Sequence, residues 1–103
     1  MKDRGFRRAR ERLSMRFGVV APTEPAQTID LSHRGLCFEC DELPRNHEMV
    51  VHLVTGLETM ELIARTRWQR EVQRLHHGRY LVGVELVQAP QSYHRMVQRL
   101  AYH

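Results

Sequence analysis

Residues 28–38 read Thr28-Ile29-Asp30-Leu31-Ser32-His33-Arg34-Gly35-Leu36-Cys37-Phe38. Ile29 and Leu31 alternate with polar residues, which is the period of a β-strand with one buried face. A turn-forming tetrapeptide follows, closed by Gly35, which is free to take a positive φ that β-branched residues resist. Leu36 and Phe38 then resume an apolar alternation on a second strand. The segment therefore predicts two antiparallel strands joined by a rigid corner.

The same alternation places Asp30 and Ser32 on one face of the first strand, about 7 Å apart along it. Asp30 supplies a carboxylate acceptor and Ser32 supplies a hydroxyl group, and a ligand can reach both from outside. We therefore predict that this corner is a binding site. The competing interpretation is that both side chains only satisfy the backbone of the turn, which is a common use of Asp and Ser.

Four other segments alternate in the same way, and polar loops separate them. Pro22 and Pro25 are expected to break strand pairing after the first segment. Trp68 shares the inward phase of its strand, so it is assigned to the core. His76-His77-Gly78-Arg79 predicts a hairpin turn. The other residues expected to face inward are Leu13, Met15, Phe17, Val19, Met49, Val51, Leu53, Met60, Leu62, Ala64, Thr66, Tyr80, Val82, Val84 and Leu86.

After Pro90 the apolar period changes from two to that of a helix. Tyr93, Met96, Val97 and Leu100 fall on one face, which predicts a C-terminal α-helix over residues 90–102. Six short strands in a single domain of 103 residues favour a closed barrel or a tight sandwich, because closure removes exposed strand edges. The predicted division is an exposed, mobile N-terminal arm over 1–12, a barrel over 13–88 and the helix.

The charge of the chain is concentrated in its N-terminal part. Residues 1–16 contain seven basic and two acidic side chains, a net charge of +5, whereas the whole chain carries +4. Of the 16 basic residues only Lys2 is a lysine. The guanidinium group forms paired hydrogen bonds with phosphates and with the O6/N7 edge of guanine, and it stacks on flat rings. The arm therefore carries groups suited to phosphates and flat rings.

Several function classes are not expected. No apolar run approaches the roughly 20 residues of a membrane helix, and the basic N-terminus lacks the apolar region of a secretory signal. Two cysteines in such a chain indicate free thiols in the cytoplasm. Cys37 and Cys40 are three positions apart on a strand and point to opposite faces, so we expect no metal site. No catalytic constellation is apparent, and we expect neither an enzyme nor a cofactor.

Two motifs and one strand carry a resemblance to a known family. The motifs are Arg-x-x-x-Arg at Arg8 and Arg12, and Asp-x-Ser-x-x-Gly at Asp30, Ser32 and Gly35. The strand is Tyr80-Leu81-Val82-Gly83-Val84-Glu85-Leu86, which follows the strand of Trp68. In this order and strand context, the chain resembles the PilZ domain, a bacterial receptor module for cyclic di-GMP. The resemblance implies a six-stranded antiparallel barrel with a C-terminal helix, and a ligand on the outer surface beside the arm.

The chemistry of the residues agrees with that ligand. Arg8 and Arg12 can each bind a phosphate or a guanine O6/N7 edge, and Asp30 can accept hydrogen bonds from guanine N1 and N2. Gly83, on the outward face of its strand, leaves room for a flat base. Arg7, directly before the first motif, can stack on the guanine of a second ligand molecule, so we expect two ligand molecules per chain. The predicted ligand-binding residues are Arg7, Arg8, Arg12, Asp30, Ser32, Gly35 and Gly83.

The expected function is that of a stand-alone, cytoplasmic cyclic di-GMP receptor. In this hypothesis the bound ligand clamps the arm onto the barrel and changes the surface presented to an effector protein. Two alternatives remain open. Arg4, Arg8, Arg12 and Arg16 also have the spacing of a basic helix that binds nucleic acid, although nucleic acid is not the expected partner. The domain can also be an interaction scaffold that binds no ligand.

Overall fold

The computed structural model describes residues 8–56, 58–73 and 79–102. Arg7 and residues 76–78 of the predicted hairpin turn lie outside these ranges. The described residues form seven β-strands and one α-helix. In chain order they are β1 (Ala9–Arg10), β2 (Ser14–Gly18), β3 (Glu24–Leu31), β4 (Gly35–Cys40), β5 (Glu48–Thr55), β6 (Glu58–Glu71), β7 (Tyr80–Gln88) and α1 (Gln91–Tyr102).

Six of the strands form the closed antiparallel barrel that the sequence predicts. The strands follow the order β3-β2-β5-β6-β7-β4, and β4 pairs with β3 to close the ring. The short strand β1 extends the arm along β3, with Ala9 opposite Leu31 and Arg10 opposite Asp30. Ala9 is buried. Within the described part of the arm, the expectation of exposure is therefore wrong for Ala9, because backbone pairing with β3 holds the chain against the barrel, whereas Arg8, Arg10 and Arg12 are exposed.

The barrel is filled by side chains from every strand and from the helix. Phe17 and Phe38 meet near its centre with ring centroids 5.1 Å apart, a contact that contributes about 0.5–1.5 kcal/mol beyond the area it buries. Helix α1 buries Tyr93, Met96 and Val97 in the same cluster. The predicted apolar stripe of the helix therefore packs on the barrel of its own chain, and the inward assignments on β5 and β7 are confirmed.

Two β-bulges overturn the predicted alternation. Between Thr28 and Asp30 the register with β4 shifts, so Ile29 is the extra residue and Thr28 is buried instead. Between Thr66 and Trp68 the register with β7 shifts in the same way. An extra residue reverses the faces of all residues beyond it. Trp68 is consequently 45% exposed, and its assignment to the core is wrong.

Two smaller expectations about the first strands also fail. Pro25 does not interrupt pairing, because it lies in β3 opposite Arg16, at a point where pairing with β4 has not yet begun. A proline is tolerated where one side of the strand needs no donor. Strand β2 ends at Gly18, and Val19, expected to face inward, is exposed.

Candidate ligand-binding site

One cavity of about 800 Å³ lies on the outer surface of the barrel, within the size range of small-molecule sites. Its walls come from β3, β4, β6, β7 and the turn between β3 and β4. We call it the ligand cavity. Five of the seven predicted site residues line it. They are Arg8, Asp30, Ser32, Gly35 and Gly83.

Arg8 and Asp30 form an ion pair at the mouth of this cavity. The Arg8 Nη1 donates to Asp30 Oδ1 over 2.5 Å, and the two side chains are 53% and 25% exposed. The pairing of β1 with β3 sets this distance, because it brings the arm alongside the strand that ends in Asp30 and Leu31. Both groups are therefore accessible to a solute, and each already has a partner of opposite charge.

The turn that follows Asp30 is closed by Ser32. Its Oγ accepts hydrogen bonds from the backbone N–H groups of Arg34 and Gly35, over 3.3 and 3.2 Å, and donates to the Gly35 carbonyl. Ser32 is buried. The hydroxyl expected to face a ligand therefore serves the turn, as the competing interpretation of the motif proposed.

Gly35 was expected to be required for a positive φ, but a close backbone contact requires it instead. Its φ is not positive; among the described residues only Gly56, with φ of 65°, has that conformation. A Cβ atom at Gly35 would instead lie 2.2 Å from the backbone oxygen of Val84. Close approach of β4 to β7, rather than backbone conformation, excludes a side chain at Gly35.

Gly83 also leaves room for a flat ring, but the ring belongs to the protein itself. A Cβ atom at Gly83 would lie 2.2 Å from Cε2 of Trp68. The indole therefore occupies the space in which we expected a base to approach Gly83. On the exposed side of this ring the guanidinium carbon of Arg70 lies 5.8 Å from the ring centroid, and both side chains line the ligand cavity.

Arg12 does not line the ligand cavity. Its Nη1 donates to Gln27 Oε1 over 3.0 Å and to Glu39 Oε2 over 3.1 Å. Glu39 is fully buried although it lies on the outer face of β4, and its Oε1 has no hydrogen-bond partner among the described residues. The Arg12 guanidinium, 47% exposed, therefore covers a buried carboxylate.

Thr28 forms hydrogen bonds with the backbone of the arm on both sides of Arg12. Its hydroxyl donates to the carbonyl of Glu11 over 2.6 Å and accepts from the backbone N–H of Leu13 over 2.7 Å. The bulge at Ile29 turns this side chain towards the arm. The arm thus runs as strand β1 before Glu11 and as irregular chain over residues 11–13. A helix carrying Arg8, Arg12 and Arg16 on one face, required by the nucleic-acid alternative, is not formed.

The ligand cavity has an excess of positive charge. Its acidic groups are Asp30 and Glu85, and the Arg67 guanidinium, hydrogen-bonded to Glu85 with Arg65 nearby, lowers the pKa of Glu85. Three of the basic residues were not predicted: Arg34 stands at a variable position of the Asp30–Gly35 motif, and Arg67 and Arg70 lie on β6, remote from either motif. The guanidinium groups that line the cavity belong to Arg8, Arg34, Arg67 and Arg70.

The raised pKa values of the two thiols disfavour the thiolate form, which metal binding and nucleophilic attack require. Burial, with Asp30 nearby, raises the pKa of Cys37 to about 11, and burial with Asp41 nearby raises that of Cys40 to about 12. Both are free cysteines. Across the described ranges, no cluster of three or more His, Cys, Asp or Glu side chains is arranged to hold a metal ion. Nor is any helix there long and apolar enough to cross a membrane.

Solved structures with this architecture include two that superpose on almost the whole chain. The inhibitor of motility MotI/DgrA of Bacillus subtilis superposes with a TM-score of 0.75 at 10% identity, over 98% of this chain and 50% of that one. The chain thus spans half the length of MotI. The PilZ domain of Escherichia coli YcgR, solved with c-di-GMP, superposes with a TM-score of 0.69 at 12% identity, over 98% and 90% of the two chains. At sequence identities of 10% and 12%, these superpositions show similarity of fold alone.

Comparison of sequences identifies the family, which similarity of fold alone does not. Curated protein sequences contain no significant match to the chain. The family model of the PilZ domain, in contrast, matches residues 2–103 and so covers the arm, the barrel and the helix together. With both motifs in place on the predicted barrel, the chain belongs to the PilZ domain family.

Proposed function

We propose that this chain is a receptor for cyclic di-GMP and that the nucleotide binds in the ligand cavity. The observation that carries the proposal is the convergence of Arg8 and the Asp30–Gly35 motif on one outer-surface cavity. PilZ domains are ligand-binding receptor domains, and family membership supports the same class of function here. We propose no catalytic role, because the residues that line this cavity include no paired nucleophile and base.

The charges of the cavity suit a ligand with two phosphates. Four guanidinium groups face two carboxylates, so the bound phosphates compensate an excess of positive charge in a partly desolvated site. Asp30 is the proposed acceptor for the N1–H and N2–H groups of one guanine. Ser32 and Gly35 contribute by holding the turn in shape rather than by direct contact, since the Ser32 hydroxyl is engaged in the turn.

Binding at this site requires an exchange of partners. Arg8 is paired with Asp30, so a phosphate must replace the carboxylate before the arginine can hold the ligand. From residue 8 onward the arm already lies on the barrel, and we therefore replace the expected clamping of a free arm by this exchange. Arg12 remains a predicted ligand residue. Its contribution is smaller than that of Arg8, because reaching the ligand costs its bonds to Gln27 and Glu39.

The exchange supplies a signal that an effector protein can read. When Asp30 and Arg8 change partners, the surface formed by the arm and the β3–β4 turn changes its charge distribution. Two ligand molecules per chain, the second held through Arg7, remain part of the proposal. The effector is a protein that recognises this altered surface.

Calorimetric titration with cyclic di-GMP tests the proposal, with cyclic di-AMP and duplex DNA titrated into the same protein. Trp68 is the only tryptophan and lines the cavity, so its fluorescence provides a second measurement of occupancy. We expect saturable binding of cyclic di-GMP with a change in fluorescence, and much weaker binding of cyclic di-AMP. Binding of DNA alone would support the nucleic-acid alternative, and binding of none of the three would support the scaffold alternative.

A further inference from the structure

Two histidines join the wall of the ligand cavity to the C-terminal helix. His33, in the β3–β4 turn, lines the cavity, and His94 lies in the first turn of α1. Their Nδ1 atoms are 3.1 Å apart, whereas the ring centroids are 5.3 Å apart and the ring planes differ by 23°. The rings therefore meet edge to edge, in the geometry of an N–H···N hydrogen bond.

The contacts around the pair determine which nitrogen carries the hydrogen. His33 Nε2 lies 3.3 Å from Gln98 Oε1, and a carbonyl oxygen only accepts, so His33 Nε2 is the donor. Neutral His33 then has a lone pair on Nδ1 and accepts from the Nδ1–H of His94. The Nε2 of His94 has no hydrogen-bond partner among the described residues. That atom is where the pair can bind a proton without losing a hydrogen bond.

The pair can hold one proton but not two. A proton from solvent on His94 Nε2 converts the bond into a charge-assisted one, which is stronger than a neutral bond. A second proton, on His33 Nδ1, would place two N–H groups against each other and break it. Loss of the bond would loosen the turn from α1, leaving the bond of 3.3 Å from His33 Nε2 to Gln98 Oε1 and the bond of 2.8 Å from the buried Tyr93 hydroxyl to the Ser32 carbonyl.

The surrounding charges decide when the first proton is bound. Asp30 and Glu85 are the acidic groups on the cavity wall, and both are already paired with arginines. A ligand with two phosphates in this cavity adds negative charge beside the pair and favours the form that carries the additional proton. The basic groups that face the pair or stand beside it on the packed elements are Arg8, Arg10, Arg34, Arg67, Arg70, Arg95 and Arg99.

From this geometry we infer that the His33–His94 pair is a proton-linked positioning element of the ligand site, and that ligand binding is coupled through it to helix α1. The inference rests on the proposed function, since the ligand must be an anion in that cavity. Binding of the ligand is accompanied by uptake of up to one proton on His94. By reciprocity, a lower pH strengthens binding within the range in which histidine titrates.

The test is calorimetry with cyclic di-GMP between about pH 8 and about pH 6, where linkage to one proton strengthens binding by up to about tenfold per unit. We expect the parent to bind several-fold more tightly at the lower pH, with proton uptake visible as a dependence of the heat on the ionisation enthalpy of the buffer. His94→Gln should bind like the parent at high pH and lose the pH dependence. His52→Gln is the matched control, because His52 lies on β5 and pairs with Glu61, outside the cavity.

Three results would overturn the inference. They are equal affinity of the parent across this range, a pH dependence that persists in His94→Gln, and a loss in His94→Gln that is the same at every pH, which indicates a merely structural role. If the parent binds no cyclic di-GMP at all, the proposed function fails instead. The pair is then tested by the ring-nitrogen NMR signals of the ligand-free protein. His33 should titrate differently in His94→Gln than in the parent, and identical titration would exclude the linkage.

Discussion

The two arginines of the arm motif are chemically identical and four residues apart, yet they lie in different environments. Arg8 is at the mouth of the ligand cavity, and its partner Asp30 is partly exposed. Arg12 is outside the cavity, and its partner Glu39 is fully buried. The difference arises because the arm is extended along β3, which separates the two guanidinium groups instead of stacking them as a helix would. We propose that Arg8 exchanges its partner for the ligand more readily than Arg12, because Arg12 is also bound to a buried carboxylate.

The largest expected effect is on the free energy of unfolding, and it tests the comparison of Arg12 with Arg8. Arg12→Ala leaves the Glu39 carboxylate buried without its charged partner, which costs about 2 kcal/mol or more. Arg8→Ala removes an exposed pair and costs about 0.5 kcal/mol. Urea denaturation measures both values. Adding Glu39→Gln to Arg12→Ala should recover much of the loss, and equal losses for the two single variants would contradict the comparison.

The second effect is on affinity for cyclic di-GMP, where the order reverses. Arg8→Ala should weaken binding by at least about tenfold, since it removes a charge-assisted contact with phosphate. Arg12→Ala, titrated where it remains folded, should weaken binding less. Arg16→Ala removes the same charge from a residue that contacts the Thr23 carbonyl outside the cavity, so it controls for net charge. If all three variants lose affinity equally, binding reflects the charge of the arm and not its geometry.

A third experiment tests the role of Asp30, the partner of Arg8, in base selectivity. Asp30→Ala should reduce the preference for cyclic di-GMP over cyclic di-AMP by about tenfold, because one base-edge contact is worth about 1–3 kcal/mol of discrimination. Affinity should fall less than in Arg8→Ala, since Arg8 is left free for phosphate. Competition titrations with both nucleotides measure the preference. Glu85→Ala is the control on the opposite wall, where Arg65 and Arg67 hold the carboxylate; an equal loss there would argue against base reading by Asp30.

The smallest expected effect concerns the residue just before the motif. Arg7→Leu should reduce the number of bound ligands from two to one with little change in the first affinity, because an arginine there can stack on a second guanine. Calorimetry at protein concentrations well above the dissociation constant gives the ratio directly. Arg10→Leu, which alters an exposed residue of β1, should still bind two. A parent that saturates at one ligand per chain would exclude the second site.

Much of the fold could be predicted because its signals are local. Met49, Val51 and Leu53 alternate without interruption and are all buried on β5, and the stripe containing Tyr93 and Val97 is buried on α1. The two bulges could not be predicted, since an extra residue on one strand is defined only by the partner strand. For that reason the alternation predicted from the sequence puts Ile29 and Trp68 on the wrong faces of their strands.

Composition and spacing determined the alternating strands, the terminal helix, the basic arm and the motif that forms the cavity corner, because hydrophobic period and turn chemistry are properties of neighbouring residues. The choice of a barrel over a sandwich came from the family resemblance. Only the tertiary structure decided what each motif residue does. Ser32 closes a turn, Gly35 admits the backbone of Val84, and Gly83 admits the indole of Trp68. Arg12 covers Glu39, a partner 27 positions away. Such roles depend on which distant side chain is brought within a few ångströms, and closure of the barrel sets those distances.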